Sequence, residues 1–215
     1  MVDFDQKIFY LHVPKCAGTS IKSSDIFSPN SLQVNQLPSS TKFKSLKRRY
    51  KAWLDDDYRN YFRMVRDSGV DATFKTFVVV RNPWDRMLSY WSMINTAPRQ
   101  PTPLKGLSFK DFVCKYLSGL IPGAARDDWH VLSANKVMSA YEDVFQTDVG
   151  LVFDVADMEF MLPCLCDYLG IEEVSLPRKN VTVHKHFSEY YDEDMRDIVK
   201  KRYEEDINIF GYEFS

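Results

Sequence analysis

The sequence predicts an α/β fold in which helices flank a central parallel sheet, and three observations lead to this prediction. Two apolar runs, at 7–13 (KIFYLHV) and 76–81 (TFVVVR), are continuous and do not alternate with polar residues, as in strands that are covered on both faces. Each run leads directly into a helix-start signal. Strand and helix patterns also alternate along the rest of the chain, which is typical of α/β domains.

The length and composition of the chain predict a single domain over residues 1–215. Its 215 residues are 45% hydrophobic and 14% aromatic, which is enough for one packed core. The 28 Lys and Arg residues nearly balance 30 Asp and Glu residues, so any anion site must be a local cluster of cations. No apolar run approaches the ~18 residues of a membrane span, and the N-terminus carries acidic residues where a signal peptide would carry basic ones. We therefore expect a cytoplasmic protein without a nucleic-acid or membrane partner.

The two strand-to-helix turns carry different helix-start signals. After the first strand, GTSI at 18–21 can open a helix. After the second strand, Asn82 is a suitable N-cap, Pro83 needs no backbone N–H in the first turn, and Asp85 faces the positive end of the helix dipole. The helix from Pro83 places large apolar residues on one stripe, which we expect to face the core. This arrangement should leave Ser89 free to face a ligand.

The remaining patterned segments predict further helices, one strand and a loop. MEFMLPCLCDYLG should be a helix that stops at Gly170, with its regular part beginning near Pro163. Residues 42–54 carry an amphipathic stripe flanked by lysines and arginines, which is either a solvated helix face or a cationic rim that attracts an anion. The other segments are a helix at 108–117, a strand at 150–155, a helix at 192–207 and a proline-rich surface loop at 95–106 that could wall an acceptor pocket.

The spacing of cysteine and histidine residues gives neither a metal centre nor a disulfide framework. The four cysteines include one C-x-C pair and no C-x-x-C pair. On a helix the side chains of Cys164 and Cys166 would point apart, so we expect ordinary thiols. His184 and His186 would share one face of a strand but lack a third ligand. We therefore expect no metal site.

The segment PKCAGTS at 14–20 has the composition of a phosphate-binding turn. A turn between a buried strand and a helix gathers unpaired backbone N–H groups, and small residues such as Ala17 and Gly18 leave room for an anion. In the loop that binds nucleoside triphosphates, G-x-x-x-x-G-K-[ST], the lysine follows the second glycine. Here Lys15 precedes Gly18, so the loop differs from the triphosphate type.

The second strand also ends in a cation, Arg81, where a magnesium-bound triphosphate site would prefer a carboxylate. Lys15 and Arg81 thus form two strand-end cation sites without a metal ligand. This arrangement suits a ligand with two separate phosphate groups. Asp154, at the end of the strand LVFD, is the one residue that would support a kinase with Mg²⁺, although capping or pairing at a strand end is the more ordinary role for it.

These two motifs resemble those of sulfotransferases that use 3′-phosphoadenosine 5′-phosphosulfate (PAPS). FYLHVPKCAGTSI resembles the 5′-phosphosulfate loop of that family, and RNPWDRMLS matches its 3′-phosphate motif, R-N-P-x-x-R-x-x-S, at every fixed position. The C-terminal segment, with Y-x-x-D and F-G-Y elements, resembles the closing segment of the carbohydrate-type branch. DDWHVLSANKVM resembles a degraded D-x-H-W-x-P-Q stretch. The resemblance covers roughly half of the chain, and residues 22–75 are not matched.

The resemblance implies a P-loop-like sulfotransferase architecture, PAPS as the sulfuryl donor, and no metal. By this resemblance Lys15 would stabilise charge on the departing phosphate oxygen. Arg81 and Ser89 would hold the 3′-phosphate, and Lys185 lies in the segment that resembles the cofactor-covering end of the family. The residues implied to hold the 5′-phosphosulfate are Lys15, Cys16, Ala17, Gly18, Thr19 and Ser20.

The general base is not evident from the sequence. Family members that sulfate hydroxyls usually place a histidine or glutamate between the two motifs, but residues 21–80 contain neither. Three explanations stay open: an aspartate in this interval is the base, His130 reaches in from later in the chain, or the acceptor is an amine or other nucleophile that needs little general-base catalysis. We favour His130 and expect His12 to be structural. The aspartates in question are Asp25, Asp55, Asp56, Asp57, Asp67 and Asp71.

The acceptor would be a hydroxyl or amine of a glycan or small molecule, and the sequence leaves its identity and the oligomeric state open. Two other functions remain alternatives at this point. One is a small-molecule kinase that uses ATP and Mg²⁺ with Asp154 as the metal ligand. The other is a nucleotide-binding protein without turnover, which the missing base keeps open.

Overall fold

Four strands form the central sheet of the computed structural model, which describes residues 1–37, 55–96, 104–121, 129–177 and 185–215. The sheet order is β1-β2-β3-β4. β2, β3 and β4 are parallel, and β1 pairs with β2 in the antiparallel direction. The predicted α/β class is confirmed, but the sheet is mixed and not purely parallel, because the first residues of the chain fold back on β2. The strands are β1 Val2–Asp3, β2 Ile8–Leu11, β3 Lys75–Val80 and β4 Leu151–Asp154.

Helices alternate with these strands along the described ranges. They are α1 Gly18–Lys22, α2 Asp55–Asp67, α3 Pro83–Thr96, α4 Phe109–Asp111, α5 Ala134–Phe145, α6 Met158–Leu169, α7 Glu193–Arg202 and α8 Glu204–Phe210. α4 continues as a π-helical segment, Phe112–Leu117, and three short 3₁₀ turns lie at Val34–Gln36, Trp129–Val131 and Phe187–Tyr190. None of the helices in these ranges is long and apolar enough to span a bilayer.

The two central strands are buried on both faces, as their continuous apolar sequences predict. On one face, Phe9 of β2 packs against Phe62 of α2 and Tyr141 of α5, with ring centroids 6.2 and 6.1 Å apart. On the other face, Tyr10 stacks on Phe77 of β3 at 5.0 Å. Burial of each such side chain contributes about 1.5–3 kcal/mol. The aromatic packing therefore fixes the register of β2 and β3, whose carboxyl ends carry the two motifs.

A second apolar cluster surrounds α3. Trp84, Met87 and Leu88 of this helix pack with residues of the π-helical segment and of α7, including Phe112 and Val199. The start of α3 follows its sequence signal, because the Asn82 side-chain oxygen accepts a hydrogen bond from the Trp84 N–H at 3.1 Å. α3 is therefore enclosed by C-terminal parts of the chain.

Some sequence-predicted boundaries differ from the structure. α6 begins at Met158, so the predicted start near Pro163 is wrong: a proline removes one helical hydrogen bond, and here the helix accommodates it. The helix predicted at 192–207 is divided at Tyr203, whose φ of −116° and ψ of 27° are not helical. α2 and α5 were not predicted. The predicted amphipathic stripe at 42–54 and residues 97–103 of the proline-rich loop lie outside the described residues.

Candidate functional site

The turn between β2 and α1 has the backbone shape of an anion-binding loop. Lys15 and Ala17 are in the left-handed region, with φ of 67° and 54°. A residue other than glycine costs on the order of 1 kcal/mol there, and such strain is characteristic of functional sites. Because Ala17 is left-handed and Gly18 begins a right-handed helix, successive N–H groups turn toward one side, as in the concavities that bind phosphate.

Gly18 is required by what lies behind the loop. A Cβ at this position would lie 2.2 Å from Cε1 of His12, far closer than side chains approach one another. From the sequence, we expected a glycine here because it leaves room for a ligand. In the structure, the close packing of His12 is by itself sufficient to require a glycine. Burial lowers the pKa of His12 well below its ordinary value, and the charge of Lys22 acts in the same direction. The imidazole behind the loop is therefore neutral.

Lys15 and Arg81 meet at the carboxyl edge of the sheet. A guanidinium N–H of Arg81 (Nη1) donates to the backbone carbonyl of Lys15 at 3.2 Å, and its Nε donates to Asp85 at 2.7 Å. Burial and the charge of Arg81 lower the pKa of Lys15 to about 8. The Arg81 side chain is 18% exposed. The structure thus brings together the two strand-end cations that the sequence singled out.

The other loop residues contribute in different ways. The Cys16 thiol is buried, it donates to the Pro14 carbonyl at 3.6 Å, and burial raises its pKa to about 11. Only the backbone of Cys16 could therefore serve a ligand. Thr19 is exposed and Ser20 is half-buried, and both lie in the first turn of α1.

Ser89 does not lie on an open face of α3. Its exposure is 8%, and Arg86 on the same side of the helix is 1% exposed. The expectation that a single aromatic stripe of α3 is buried is wrong, because the C-terminal helices cover this side as well. Arg86 donates to the Leu132 carbonyl at 2.7 Å, and its guanidinium lies 4.8 Å from the ring centre of Tyr203. A 3′-phosphate role for Ser89 stays a prediction.

His130 lies against α3. Its ring stacks on Tyr90 at 4.7 Å and 14°, and Tyr90 follows Ser89 in α3. The charge of His130 is also the weakest of the causes that lower the pKa of His12, after burial and the nearby cations. The structure therefore places His130 against α3, beside the residue that follows Ser89.

The other predicted residues lie farther out or at the opposite edge. Lys185 is exposed and forms an ion pair with Glu189 at 2.9 Å. Asp67 and Asp71 precede β3, so they lie at the amino edge of the sheet, away from the loop. Of the candidate bases, these two aspartates are therefore poorly placed. His184 lies outside the described residues.

Asp154 is engaged within the protein. One carboxylate oxygen accepts from the Ala156 N–H at 2.7 Å, and the other accepts from the Tyr212 hydroxyl. Burial raises the pKa of Asp154, while these two hydrogen bonds and the charge of Arg81 oppose the shift. These contacts are those of a strand-end residue paired with its neighbours.

The contacts of the C-terminal tail were missed by sequence reasoning. Tyr212 and Glu213 reach the site residues Asp154 and Asn82, the latter through a 3.1 Å hydrogen bond from the Asn82 side-chain N–H to the Glu213 carbonyl. The F-G-Y element was the available signal, but it did not indicate which residues the tail contacts.

Within the ranges that the structure describes, no three His, Cys, Asp or Glu side chains are grouped as metal ligands. The four cysteines are free thiols, with Cys164 exposed and Cys166 buried, as their helical spacing predicts.

Comparison with known proteins agrees with the motifs. A family model described as the sulfotransferase family matches residues 1–213. Among solved structures, the crystal structure of a sulfotransferase from Alicyclobacillus acidocaldarius is similar at 14% identity and a TM-score of 0.43, over 96% of this chain and 87% of that one. Curated protein sequences give no significant match. Because the family model extends over nearly the whole chain, this protein belongs to the sulfotransferase family.

Proposed function

We propose that this protein transfers a sulfuryl group from PAPS to a hydroxyl or amine of a glycan or small-molecule acceptor. The observation that carries the proposal is the contact between Arg81 and the Lys15 carbonyl at 3.2 Å, which joins two cation sites at one edge of the sheet. PAPS carries two separate anionic groups, and a site with two cations on neighbouring strand ends fits this chemistry. The left-handed backbone of the loop adds N–H donors for one of these groups.

The loop residues would hold the 5′ end of the donor. When bound, PAPS supplies the sulfuryl group and its bisphosphate is the leaving group. Lys15 is half-buried, so its ammonium is less screened by water than a surface lysine, and its charge can stabilise the negative charge that develops on the departing oxygen. The backbone N–H groups of Cys16 to Gly18 and the hydroxyls of Thr19 and Ser20 complete this half of the site.

The start of α3 would hold the 3′-phosphate. Arg81 is fixed by Asp85 and by the Lys15 carbonyl, which leaves other guanidinium N–H groups for a phosphate. Ser89 and Lys185 are the further candidates that the motif resemblance supplies. Binding of both phosphates would select a bisphosphorylated adenosine over ATP.

His130 is the proposed base for a hydroxyl acceptor. The acceptor oxygen forms a bond to sulfur while its proton passes to His130, and the bond between sulfur and the phosphate oxygen breaks with its electron pair on the phosphate. The stacked ring of Tyr90 holds the imidazole orientation. A His130→Gln variant should lose turnover while the affinity for adenosine 3′,5′-bisphosphate stays unchanged. Loss of both would place His130 in donor binding instead.

Isothermal titration calorimetry tests the donor. Adenosine 3′,5′-bisphosphate should bind in EDTA, and ATP should not bind in the same buffer with Mg²⁺ in place of EDTA. The reverse result would overturn the proposal in favour of a kinase. A transfer assay with labelled PAPS and a panel of glycan and small-molecule acceptors then tests turnover, and binding without any turnover would favour a non-catalytic nucleotide-binding protein.

Alanine variants separate the two cation roles. Arg81→Ala should weaken bisphosphate binding by more than about 1.5 kcal/mol, roughly tenfold. Lys15→Ala should reduce turnover by orders of magnitude but weaken bisphosphate binding less, because its charge acts mainly on the transition state. Arg63→Ala, an exposed arginine of α2 bonded to Asn60, is the matched control and should change neither quantity. Equal behaviour of Arg81→Ala and this control would remove Arg81 from the site.

A further inference from the structure

The C-terminal tail, residues 211–214, lies against the edge of the sheet that carries the two cations. Gly211 is left-handed, with φ of 67°, and ends α8, so that the chain turns back and the Tyr212 N–H donates to the Ile207 carbonyl at 3.0 Å. The ring of Phe214 packs edge-on against Trp84 at 5.4 Å. Together with the hydrogen bond from Asn82 to the Glu213 carbonyl, these contacts anchor the tail on the start of α3.

Strand register places Asp154 opposite Val80, one residue before Arg81. Val80 and Asp154 are partners in the parallel pair β3 and β4, and the Val155 N–H donates to the Val80 carbonyl at 2.9 Å. Arg81 follows Val80 directly, and the charge of its guanidinium acts on the Asp154 carboxylate, whose pKa it lowers. Their opposite charges favour a direct ion pair.

The structure instead directs Arg81 toward the phosphate loop. Its Nε binds Asp85 at 2.7 Å and its Nη1 binds the Lys15 carbonyl at 3.2 Å. Asp154 is occupied by the Ala156 N–H at 2.7 Å and by the hydroxyl of Tyr212. Even a half-buried carboxylate needs such donors, because an unsatisfied one is costly. The tail therefore supplies the donor that the neighbouring arginine would otherwise supply.

We propose that Tyr212 is a positioning residue for the anion site: its hydroxyl occupies the Asp154 carboxylate and thereby keeps the Arg81 guanidinium turned toward Lys15. Without this hydroxyl, the vacant carboxylate oxygen draws Arg81 away from the loop. The inference rests on the proposed function only for the identity of the ligand. Burial raises the pKa of Asp154 despite its donors, which agrees with a carboxylate that depends on them.

The test is a set of three variants titrated with adenosine 3′,5′-bisphosphate. Tyr212→Phe removes one oxygen and should weaken binding about tenfold, the loss expected when a charge-assisted contact is withdrawn. Asp154→Asn removes the competing charge and should bind at least as tightly as the wild type. The double variant should return to within about threefold of Asp154→Asn, since an amide no longer attracts the guanidinium. Wild-type affinity in Tyr212→Phe, or a loss that Asp154→Asn does not restore, would overturn the inference.

A control and a ligand-free measurement separate this inference from the proposed function. Tyr168→Phe removes a hydroxyl that accepts from the Thr76 N–H at 3.3 Å, at the opposite end of β3, and should leave bisphosphate affinity unchanged. A double-mutant cycle of Arg81→Gln and Asp154→Asn, measured as the free energy of unfolding in urea, gives the interaction between the two side chains without any ligand. This interaction energy should be larger in the Tyr212→Phe background than in the wild type. If the coupling between Arg81 and Asp154 is the same in both backgrounds, the inference is contradicted, whether or not the bisphosphate binds. If the wild type does not bind the bisphosphate, only the proposed function is contradicted.

Discussion

Replacing Gly18 with alanine tests whether the phosphate loop needs a glycine because of the histidine behind it. The added Cβ would lie 2.2 Å from Cε1 and 2.6 Å from Nδ1 of His12. The imidazole packs beside the ring of Tyr10, with ring centres 5.8 Å apart, which limits how far it can move aside. Gly18 begins a right-handed helix, so the alanine meets no backbone strain of its own. The cost is therefore one of overpacking.

Overpacking of this kind costs about 1–3 kcal/mol. We expect Gly18→Ala to lower the free energy of unfolding by about 2 kcal/mol, which corresponds to a melting temperature lower by roughly 4–8 °C for a chain of this size. His12→Ala removes the obstructing ring. The double variant should therefore be no less stable than His12→Ala alone, within about 0.5 kcal/mol, and the coupling between the two changes should be about 2 kcal/mol.

Urea denaturation followed by circular dichroism measures this coupling. Gly119→Ala is the control: nothing lies within 4 Å of its Cβ position, and its φ of 80° makes alanine unfavourable for backbone reasons alone. The cost of Gly119→Ala should be the same with and without His12. If the effects of Gly18→Ala and His12→Ala are additive, with a coupling below about 0.5 kcal/mol, the reasoning is refuted. The glycine would then be explained by the room that it leaves for a ligand.

The remaining predictions concern charge and backbone strain. Burial is the main cause that lowers the pKa of Lys15 to about 8, so its ammonium loses its proton as the pH rises from 8 to 9. The dissociation constant for the bisphosphate should therefore rise by up to about fivefold over this range in calorimetry, but not in Lys15→Arg. Arg86→Leu should cost about 1–3 kcal/mol in urea denaturation, because it leaves the Leu132 carbonyl without its donor and removes the positive charge that favours the ionised form of buried Asp206. Arg86→Leu with Asp206→Asn should recover part of this loss. Ala17→Gly should leave the free energy of unfolding unchanged or raise it by up to about 1 kcal/mol, since a φ of 54° strains alanine but not glycine. As a control, Ala140→Gly inside α5 should lower it by at least about 1 kcal/mol in the same assay.

The parts of the fold that follow from sequence are those with strong local signals. The apolar runs of β2 and β3 have no polar alternation, so their central position and parallel pairing were predictable. The start of α3 was predictable because Asn82 and Pro83 are suited to a helix N-terminus for reasons that involve no distant residue. The meeting of Lys15 and Arg81 follows from the same reasoning, since parallel strands present their carboxyl ends at one edge.

The parts that could not be predicted depend on contacts between distant segments. α7 and α8 read as one helix in sequence, and they divide at Tyr203 where its hydroxyl donates to the Val131 carbonyl at 2.8 Å. The hydrogen bond between Tyr212 and Asp154 joins residues 58 apart, and neither neighbourhood carries a signal for it. α2 has apolar residues at helical spacing, but it contains no recognised motif. Local patterns therefore give the elements, and tertiary contacts decide where they end.

The two arginines of the R-N-P-x-x-R-x-x-S motif show why a matched position does not by itself imply contact with a ligand. They are five residues apart and equivalent as sequence letters, yet the Arg81 side chain is 18% exposed and Arg86 is 1% exposed. Arg86 donates a hydrogen bond to the Leu132 carbonyl, and its guanidinium lies over the ring of Tyr203. It therefore holds the C-terminal helices against α3. Because those helices carry the tail that reaches Asn82, the buried arginine supports the site from a distance. One motif thus combines a residue that faces the proposed anion site with a residue that holds the surrounding structure in place.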